Sequence, residues 1–373
     1  MLATRIAAGD FPSAVYLIGE RGEAIYADAI GDAVREPEEH AATIETIYDL
    51  ASLTKPLITG LLCALLIDSG ELTLDSSVAQ HLQEFDRADT HHITIRELLT
   101  HTSGLPAWRP LYLLAEGKKE DALAAIANEA LEYKTGVRVL YSDLGFITLG
   151  FLLQRLTGLS FDDLARRKII DRLNLPRTFF NPARSMQTHI AASEAGNAYE
   201  RDMCERDFPS SKPVANVPGS VTPYSGWRSG IIWGEVHDGN AYFLGGAAGH
   251  AGLFSTAGET FRLANQFIPG LSELLSKETC QLFRQNMTPG LNEARSFAWQ
   301  LAATKDSTAG PSLPPDAFGH TGFTGTSCWI DAARERVFIL LTNRTHAHAL
   351  PFANINAVRR EFHTLAIRAL ESN

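Results

Sequence analysis

The chain is poor in cysteine. Only Cys63, Cys204, Cys280 and Cys328 occur in 373 residues, far apart and with no Cys-x-x-Cys pair. A disulfide framework or a zinc-finger site is therefore excluded, and buried free thiols in a cytoplasmic chain are expected. Basic charge is also short: 33 Lys and Arg face 43 Asp and Glu, a formal charge of -10. Phosphate recognition needs clustered cations, so no nucleic-acid partner is expected. No basic segment followed by a long apolar core opens the chain, so no secretion signal is read. The longest apolar run, Leu57 to Ile67, is interrupted by Thr59 and Gly60 and reads as too short to span a bilayer, so no membrane association is expected. A Gly-x-Ser-x-Gly elbow and a His-Glu-x-x-His motif are absent, and the glycine-rich stretch Gly245 to Gly252 lacks the Gly-Lys-Ser/Thr of a phosphate loop. His237, Asp238 and His250 suit a catalytic triad by residue type alone. The pairs His91/His92 and His346/His348 have no ligand cluster around them, so neither a metal nor a cofactor is expected.

With 45% apolar and 20% charged residues, the chain has the composition of a globular protein. Ala14 to Gly19 and Ala24 to Ile30 read as two strands joined by a tight turn at Glu20 to Glu23. Helices are expected at Thr94 to Thr100, Glu120 to Tyr133, Gly145 to Leu156 and Phe161 to Leu173. Leu72 to Arg87 reads as the start of this helical region. From Pro182 to Gly234 prolines and glycines mark an irregular segment, read as rimming a site with Tyr224, Trp227 and Trp233 as substrate contacts or as pins to the core. Thr256-Ala-Gly-Glu259 is a capping box for a helix to Phe267. Gly325 to Asp331 and Arg336 to Thr342 read as late strands, and Ile355 to Leu370 as an amphipathic last helix. The expected fold class is α/β of the α+β type. One antiparallel sheet is completed by both termini (about 1–70 and 315–373), flanked by helices, with a mainly helical insertion (about 71–314), all within a single domain, 1–373.

The stretch with most chemistry is Ser52-Leu53-Thr54-Lys55. A serine and a lysine three apart on a helix share one face, so an amine comes within reach of a hydroxyl that must lose its proton to become a nucleophile. Pro56 suits a first turn, where its missing N–H is not needed, so a helix is expected from about Ser52 to Ser69-Gly70. Its N-terminal N–H groups would face the site where negative charge develops.

Two further stretches follow in order, Tyr141-Ser142-Asp143 and His320-Thr321-Gly322. The triplet resembles that of the serine β-lactamase and penicillin-binding-protein superfamily, Ser-x-x-Lys, Tyr-x-Asn and Lys-Thr-Gly. The tyrosine marks similarity to the class C branch and to the esterases and D-amino-acid peptidases built on that fold. Phrases such as Glu97-Leu-Leu-Thr-His-Thr-Ser-Gly-Leu-Pro106 and Gly249-His250-Ala251-Gly252 extend the likeness over nearly the whole chain. Gly234-Glu-Val-His-Asp238 is similar to a subgroup with D-alanyl-D-alanine carboxypeptidase-like members. The resemblance implies Ser52 as acylated nucleophile, Lys55 as its activator or as a stabiliser of charge beside it, Tyr141 as base, the N–H groups of Ser52 and Phe323 as oxyanion hole, and His320, Thr321 and Gly322 as a wall of the cleft.

Two positions depart from the pattern. Asp143 replaces an asparagine; a carboxylate cannot donate to substrate, but it pairs with Lys55 and keeps it charged. A charged Lys55 is then expected to lower the pKa of Tyr141. His320 replaces a lysine that helps hold a substrate carboxylate, which favours neutral substrates unless Arg344 supplies the charge. The expected function is a serine hydrolase acting on a small-molecule partner, a carboxylic ester or a D-amino-acid amide or peptide. The alternatives are a β-lactamase or D-alanyl-D-alanine carboxypeptidase, and a non-catalytic binding or scaffold protein that keeps the cleft.

Overall fold

The computed structural model describes residues 1–208 and 226–372. The described residues contain nine strands: β1 (Ser13–Glu20), β2 (Glu23–Val34), β3 (His40–Ala41), β4 (Tyr48–Asp49), β5 (Phe254–Ser255), β6 (Gln300–Leu301), β7 (Phe318–Thr321), β8 (Ser327–Asp331) and β9 (Arg336–Thr342). Seven of them form one antiparallel sheet in the order β3-β2-β1-β9-β8-β7-β6, while β4 and β5 pair separately. β1 and β2 are joined by Arg21 and Gly22, both at positive φ, as a two-residue hairpin turn requires. β1 then pairs with β9, Val15 opposite Leu341 and Leu17 opposite Ile339, so the two ends of the chain close the sheet as expected.

The central strands are apolar without alternation because both faces are covered. Val15, Leu17, Ile339 and Leu341 point into the main core, which contains the helices. Ala14, Ile18, Phe338 and Leu340 point to the other side, where the last helix (Asn356–Glu371) packs Val358, Phe362, Ala366 and Ile367 on them. Each fully buried large apolar side chain of this kind contributes about 1.5–3 kcal/mol.

Several local expectations change. The helical stretch at Ser52 is not uniform: a 3₁₀ turn (Ala51–Leu53) leads into a π-helical segment (Lys55–Gly60) and then an α-helix (Leu61–Asp68). Pro56, with no N–H to give, stands where the hydrogen-bond ladder widens. Taken together, Ala51–Asp68 is long and apolar enough to cross a membrane by length and composition, contrary to the expectation from the shorter run, but most of it is buried in the core. The helix expected over Glu120 to Tyr133 spans only Ala122–Ala127 after a 3₁₀ turn. Beyond it the backbone is drawn elsewhere: Glu132 N–H donates to the Gly104 carbonyl (2.8 Å) and the Tyr133 hydroxyl to the His101 carbonyl (3.1 Å). Between Leu72 and Arg87 only 3₁₀ turns form. Within the segment read as irregular, Ala198–Asp207 is a helix. The third motif precedes the late strand β8 and is itself on a strand: His320 and Thr321 lie on β7, and β6 brings the sheet back to Gln300.

Candidate active site

The three motifs converge on a cavity of about 450 Å³, lined by Ser52, Tyr141, Asp143, His320, Thr321, Gly322, Phe323 and Arg344, with Trp108, Tyr199, Glu200, His237, Asp238, Arg295 and Arg359 among the other wall residues. Each motif reaches it for a local reason. Ala51 is held at φ +48°, a costly left-handed conformation for a residue with a side chain, just before Ser52. Asp49 stabilises that turn: its carboxylate accepts from Ala51 N–H (2.8 Å) and from His237 N–H (2.7 Å). Ser142 caps the helix Asp143–Thr157 by accepting from Gly145 N–H (3.2 Å), which leaves Tyr141 before the helix and Asp143 in its first turn. Thr324 and Thr326 donate to the carbonyls of Asp49 (2.7 Å) and Leu50 (3.0 Å), clasping the β7–β8 turn to the nucleophile turn.

Lys55 is 0% exposed, behind Ser52. Its ammonium donates to Ser52 Oγ (2.9 Å) and to the His250 carbonyl (3.0 Å), and lies 2.7 Å from Asp143 Oδ1 as an ion pair without the alignment of a hydrogen bond. Burial by itself lowers its pKa. The Asp143 charge and the nearby Tyr141 outweigh that and raise its pKa above the ordinary lysine value, so Lys55 is a cation at neutral pH. The His250 carbonyl is presented by the glycine-rich loop, which packs so closely on the helix Asp143–Thr157 that a Cβ on Gly249 would sit 2.0 Å from the Phe146 carbonyl oxygen. Gly245 to Gly252 is thus a close-packing loop that holds the lysine.

Tyr141 lies between the Lys55 ammonium, 5.0 Å from its ring centroid, and the rings of His101 (4.6 Å) and His320 (5.6 Å). Its hydroxyl is buried and makes no hydrogen bond of good geometry among the described residues, although Ser52 and Lys55 are close enough to act on it. The expectation that Lys55 lowers its pKa is overturned in the net. Lys55 does pull it down, but burial is the larger effect and Asp143 adds to it, so the phenol is held above its ordinary value.

His320 is buried. Burial, with Lys55 and Arg295 nearby, keeps it neutral, its pKa well below the usual histidine value. Its Nδ1 faces the Thr321 carbonyl at 2.8 Å and so carries the proton, leaving Nε2 as an acceptor. Arg344 does line the cavity; it donates to the carbonyls of Phe323 (2.7 Å) and Ala353 (2.6 Å) and has no carboxylate partner among the described residues. The N–H groups of Ser52 and Phe323 enter no backbone hydrogen bond among the described residues, leaving both available to an oxyanion.

Two expected contacts do not reach the cavity. Trp233 donates from Nε1 to the Ile190 carbonyl (2.7 Å) and packs in the core, and the Trp227 ring meets that of Tyr112. Both pin their segment to the core, and Tyr224 lies outside the described residues. The segment reaches the site instead through Tyr199 and Glu200 on the helix Ala198–Asp207. Glu200 is buried and its pKa is pushed up to about 8 by burial and by Asp238, against a hydrogen bond from Gly239 N–H (2.9 Å). Glu194 and His237 form a buried pair (2.8 Å), and Asp238 pairs with His250 (2.8 Å). Burial works against the Asp238 charge, but His250 prevails and holds its pKa below the carboxylate range. No triad forms from His237, Asp238 and His250: Asp238 and His250 are tied to each other, while His237 is tied to Glu194. His92 and His346 are engaged with Thr135 and with the Ser193 carbonyl, and among the described residues no His, Cys, Asp and Glu side chains gather as a metal site.

Comparison with known proteins bears directly on this geometry. The family model described as Beta-lactamase matches residues 1–360. The chain belongs to the β-lactamase family. It is 31% identical over 369 residues to the "Putative D-alanyl-D-alanine carboxypeptidase" of Escherichia coli (strain K12), covering 90% of this chain and 79% of the relative. It is 27% identical over 373 residues to the N-acetylmuramyl-L-alanine amidase of Bacillus subtilis (strain 168), covering 93% and 80%. Among solved structures, "EstCE1, a hydrolase with promiscuous acyltransferase activity" superposes with a TM-score of 0.72 at 23% identity, covering 97% of this chain and 96% of that one. The fold is the class C β-lactamase type, and membership makes the protein an enzyme of the serine-hydrolase class.

Proposed function

We propose that this β-lactamase-family enzyme hydrolyses small carboxylic esters or D-amino-acid amides and peptides through an acyl-enzyme on Ser52. One observation carries the reading: a buried Lys55 ammonium, kept charged by Asp143, donates to the Ser52 hydroxyl beside a buried Tyr141 hydroxyl that makes no hydrogen bond of good geometry among the described residues. A lysine that is already protonated accepts no proton, so Tyr141 is the acceptor, in its ionised form, with Lys55 stabilising the phenolate. Ser52 Oγ attacks the acyl carbon and its proton passes to Tyr141. The carbonyl oxygen takes the negative charge at the N–H groups of Ser52 and Phe323. Collapse expels the leaving group, which takes the proton from Tyr141, and a water then repeats the sequence and releases the acid. Because burial raises the tyrosine pKa, its base form is scarce at neutral pH and kcat/KM rises with pH.

The neutral His320 wall supports uncharged acyl groups. A second reading, a D-alanyl-D-alanine carboxypeptidase or β-lactamase, is favoured by the guanidinium of Arg344 in the cavity wall and by the name of the Escherichia coli relative. Turnover of p-nitrophenyl acetate, D-alanine p-nitroanilide, a D-alanyl-D-alanine peptide and benzylpenicillin separates them. Ester or D-amide turnover exceeding that of the other two is expected; faster release of terminal D-alanine or of penicilloate would overturn the first reading. The four cysteines, buried and free, support the cytoplasmic setting.

A further inference from the structure

The peptide bond between Gly322 and Phe323 supplies the Phe323 N–H to the proposed oxyanion hole, and its other end is held by the last helix. Arg359, on the last helix, donates from Nη2 to the Gly322 carbonyl (2.9 Å) and to the Thr326 carbonyl (3.0 Å), while its Nη1 donates to Asn356 (2.9 Å). The Gly322 N–H closes the same turn on the Thr326 carbonyl (2.8 Å). Nothing else fits at position 322: an added Cβ would stand 2.1 Å from Thr326 Oγ1 and 2.5 Å from the Leu50 carbonyl oxygen. The Phe323 carbonyl, at the next peptide, is held by Arg344, whose guanidinium also stacks 4.9 Å from the Phe323 ring centroid.

Arg359 is 5% exposed and has no carboxylate within ion-pair distance among the described residues. A buried cation without a counter-ion is costly, and burial and Arg344 lower its pKa to about 9, still leaving it charged at neutral pH. Its cost is offset only by the carbonyls it holds. A charged donor on a peptide C=O fixes the plane of that peptide, and it draws electron density so that the N–H at the other end donates more strongly.

We propose that Arg359 is a positioning residue of the oxyanion hole: it orients and polarises the Gly322–Phe323 peptide so that its N–H meets the charge developing on the acyl oxygen. The inference rests on the acyl-enzyme reading above. Both half-reactions use the same N–H, so losing Arg359 slows acylation and deacylation together and leaves KM in place.

The test uses the Arg359→Gln and Arg359→Lys variants with p-nitrophenyl acetate as substrate and phenylboronic acid, which forms a tetrahedral adduct on a serine, as transition-state mimic. In Arg359→Gln, kcat is expected to fall about 10- to 100-fold, less than the loss of a whole oxyanion donor, with KM within about twofold and the boronate inhibition constant weakened by the same factor as kcat. Arg359→Lys keeps the charge, with its donors on a single nitrogen, and is expected to fall between Gln and wild type; it carries the test if the glutamine variant does not fold. Unchanged kcat in both folded variants, or a loss seen in KM alone, would overturn the proposal. A wild-type enzyme that neither turns over the ester nor binds the boronate would overturn the acyl-enzyme reading instead, and this proposal with it.

Discussion

Replacing Asp143 by asparagine restores the residue usual in the family and removes the carboxylate paired with Lys55. At 2.7 Å and an effective dielectric of 20 the Coulomb attraction is about 6 kcal/mol. The net loss is smaller. Asp143 is 17% exposed, its own desolvation is recovered, and the amide oxygen leaves a dipole beside the ammonium. A loss of about 2–3 kcal/mol at pH 7 is therefore expected, readable as a lower urea midpoint. The pH dependence makes the test sharper. In the wild type the folded-state pKa of Lys55 lies above the unfolded value of 10.5, so its contribution is complete at neutral pH and fades only as pH rises beyond that value. In the variant burial dominates and the folded-state pKa falls below the unfolded one. The native state then binds fewer protons than the unfolded chain, and the variant gains stability relative to wild type as pH climbs from neutral toward 10.5. Equal urea midpoints at pH 7, or a wild type and variant with parallel pH dependence, would refute the claim that Asp143 holds Lys55 charged.

Tyr141→Phe removes a buried hydroxyl with no well-formed hydrogen bond, so its urea midpoint should stay within about 1 kcal/mol of wild type. Its ester turnover should fall about 10²–10⁴-fold and lose its rise with pH; an unchanged pH–rate profile would count against Tyr141 as base. Glu200 contributes stability that is fully present below the unfolded carboxyl pKa and is lost as pH rises toward its folded value of about 8. Glu200→Gln should flatten that decline in urea unfolding between about pH 4.5 and 8, and a decline of wild-type steepness would contradict the burial argument. Gly322→Ala is expected to lose most ester turnover, because the Cβ displaces either Thr326 or the nucleophile turn at Leu50; full activity would show that the turn yields cheaply.

The parts of this molecule legible in sequence are those where neighbours in the chain are neighbours in space. Ser52 and Lys55 are three residues apart, and any helical turn brings them together. The β1–β2 hairpin and the β8–β9 turn announce themselves in the same way, by β-prone runs on either side of short turns. The rest of the site is made by contacts that no spacing encodes. Lys55 meets the His250 carbonyl across 195 residues, Glu194 meets His237 across 43, and Arg359 meets Gly322 across 37. The last of these lies on a helix whose apolar stripe is readable, but nothing in that spacing marks Arg359 as the arginine that is buried. Glu120 to Tyr133 misled because alanine and leucine favour a helix locally, while the bonds that end it belong to the Thr102–Gly104 loop. The ionisation of Tyr141 could not be read either: the motif names the cation beside it, not the depth of burial that outweighs that cation.

The most direct test of the account is the intact mass of the enzyme after mixing with p-nitrophenyl acetate, beside a Ser52→Ala control. The account predicts a transient gain of one acetyl group on the wild type, mapped to Ser52, with neither adduct nor turnover in the variant. Turnover that survives in Ser52→Ala, or an adduct mapped to another residue, would contradict it.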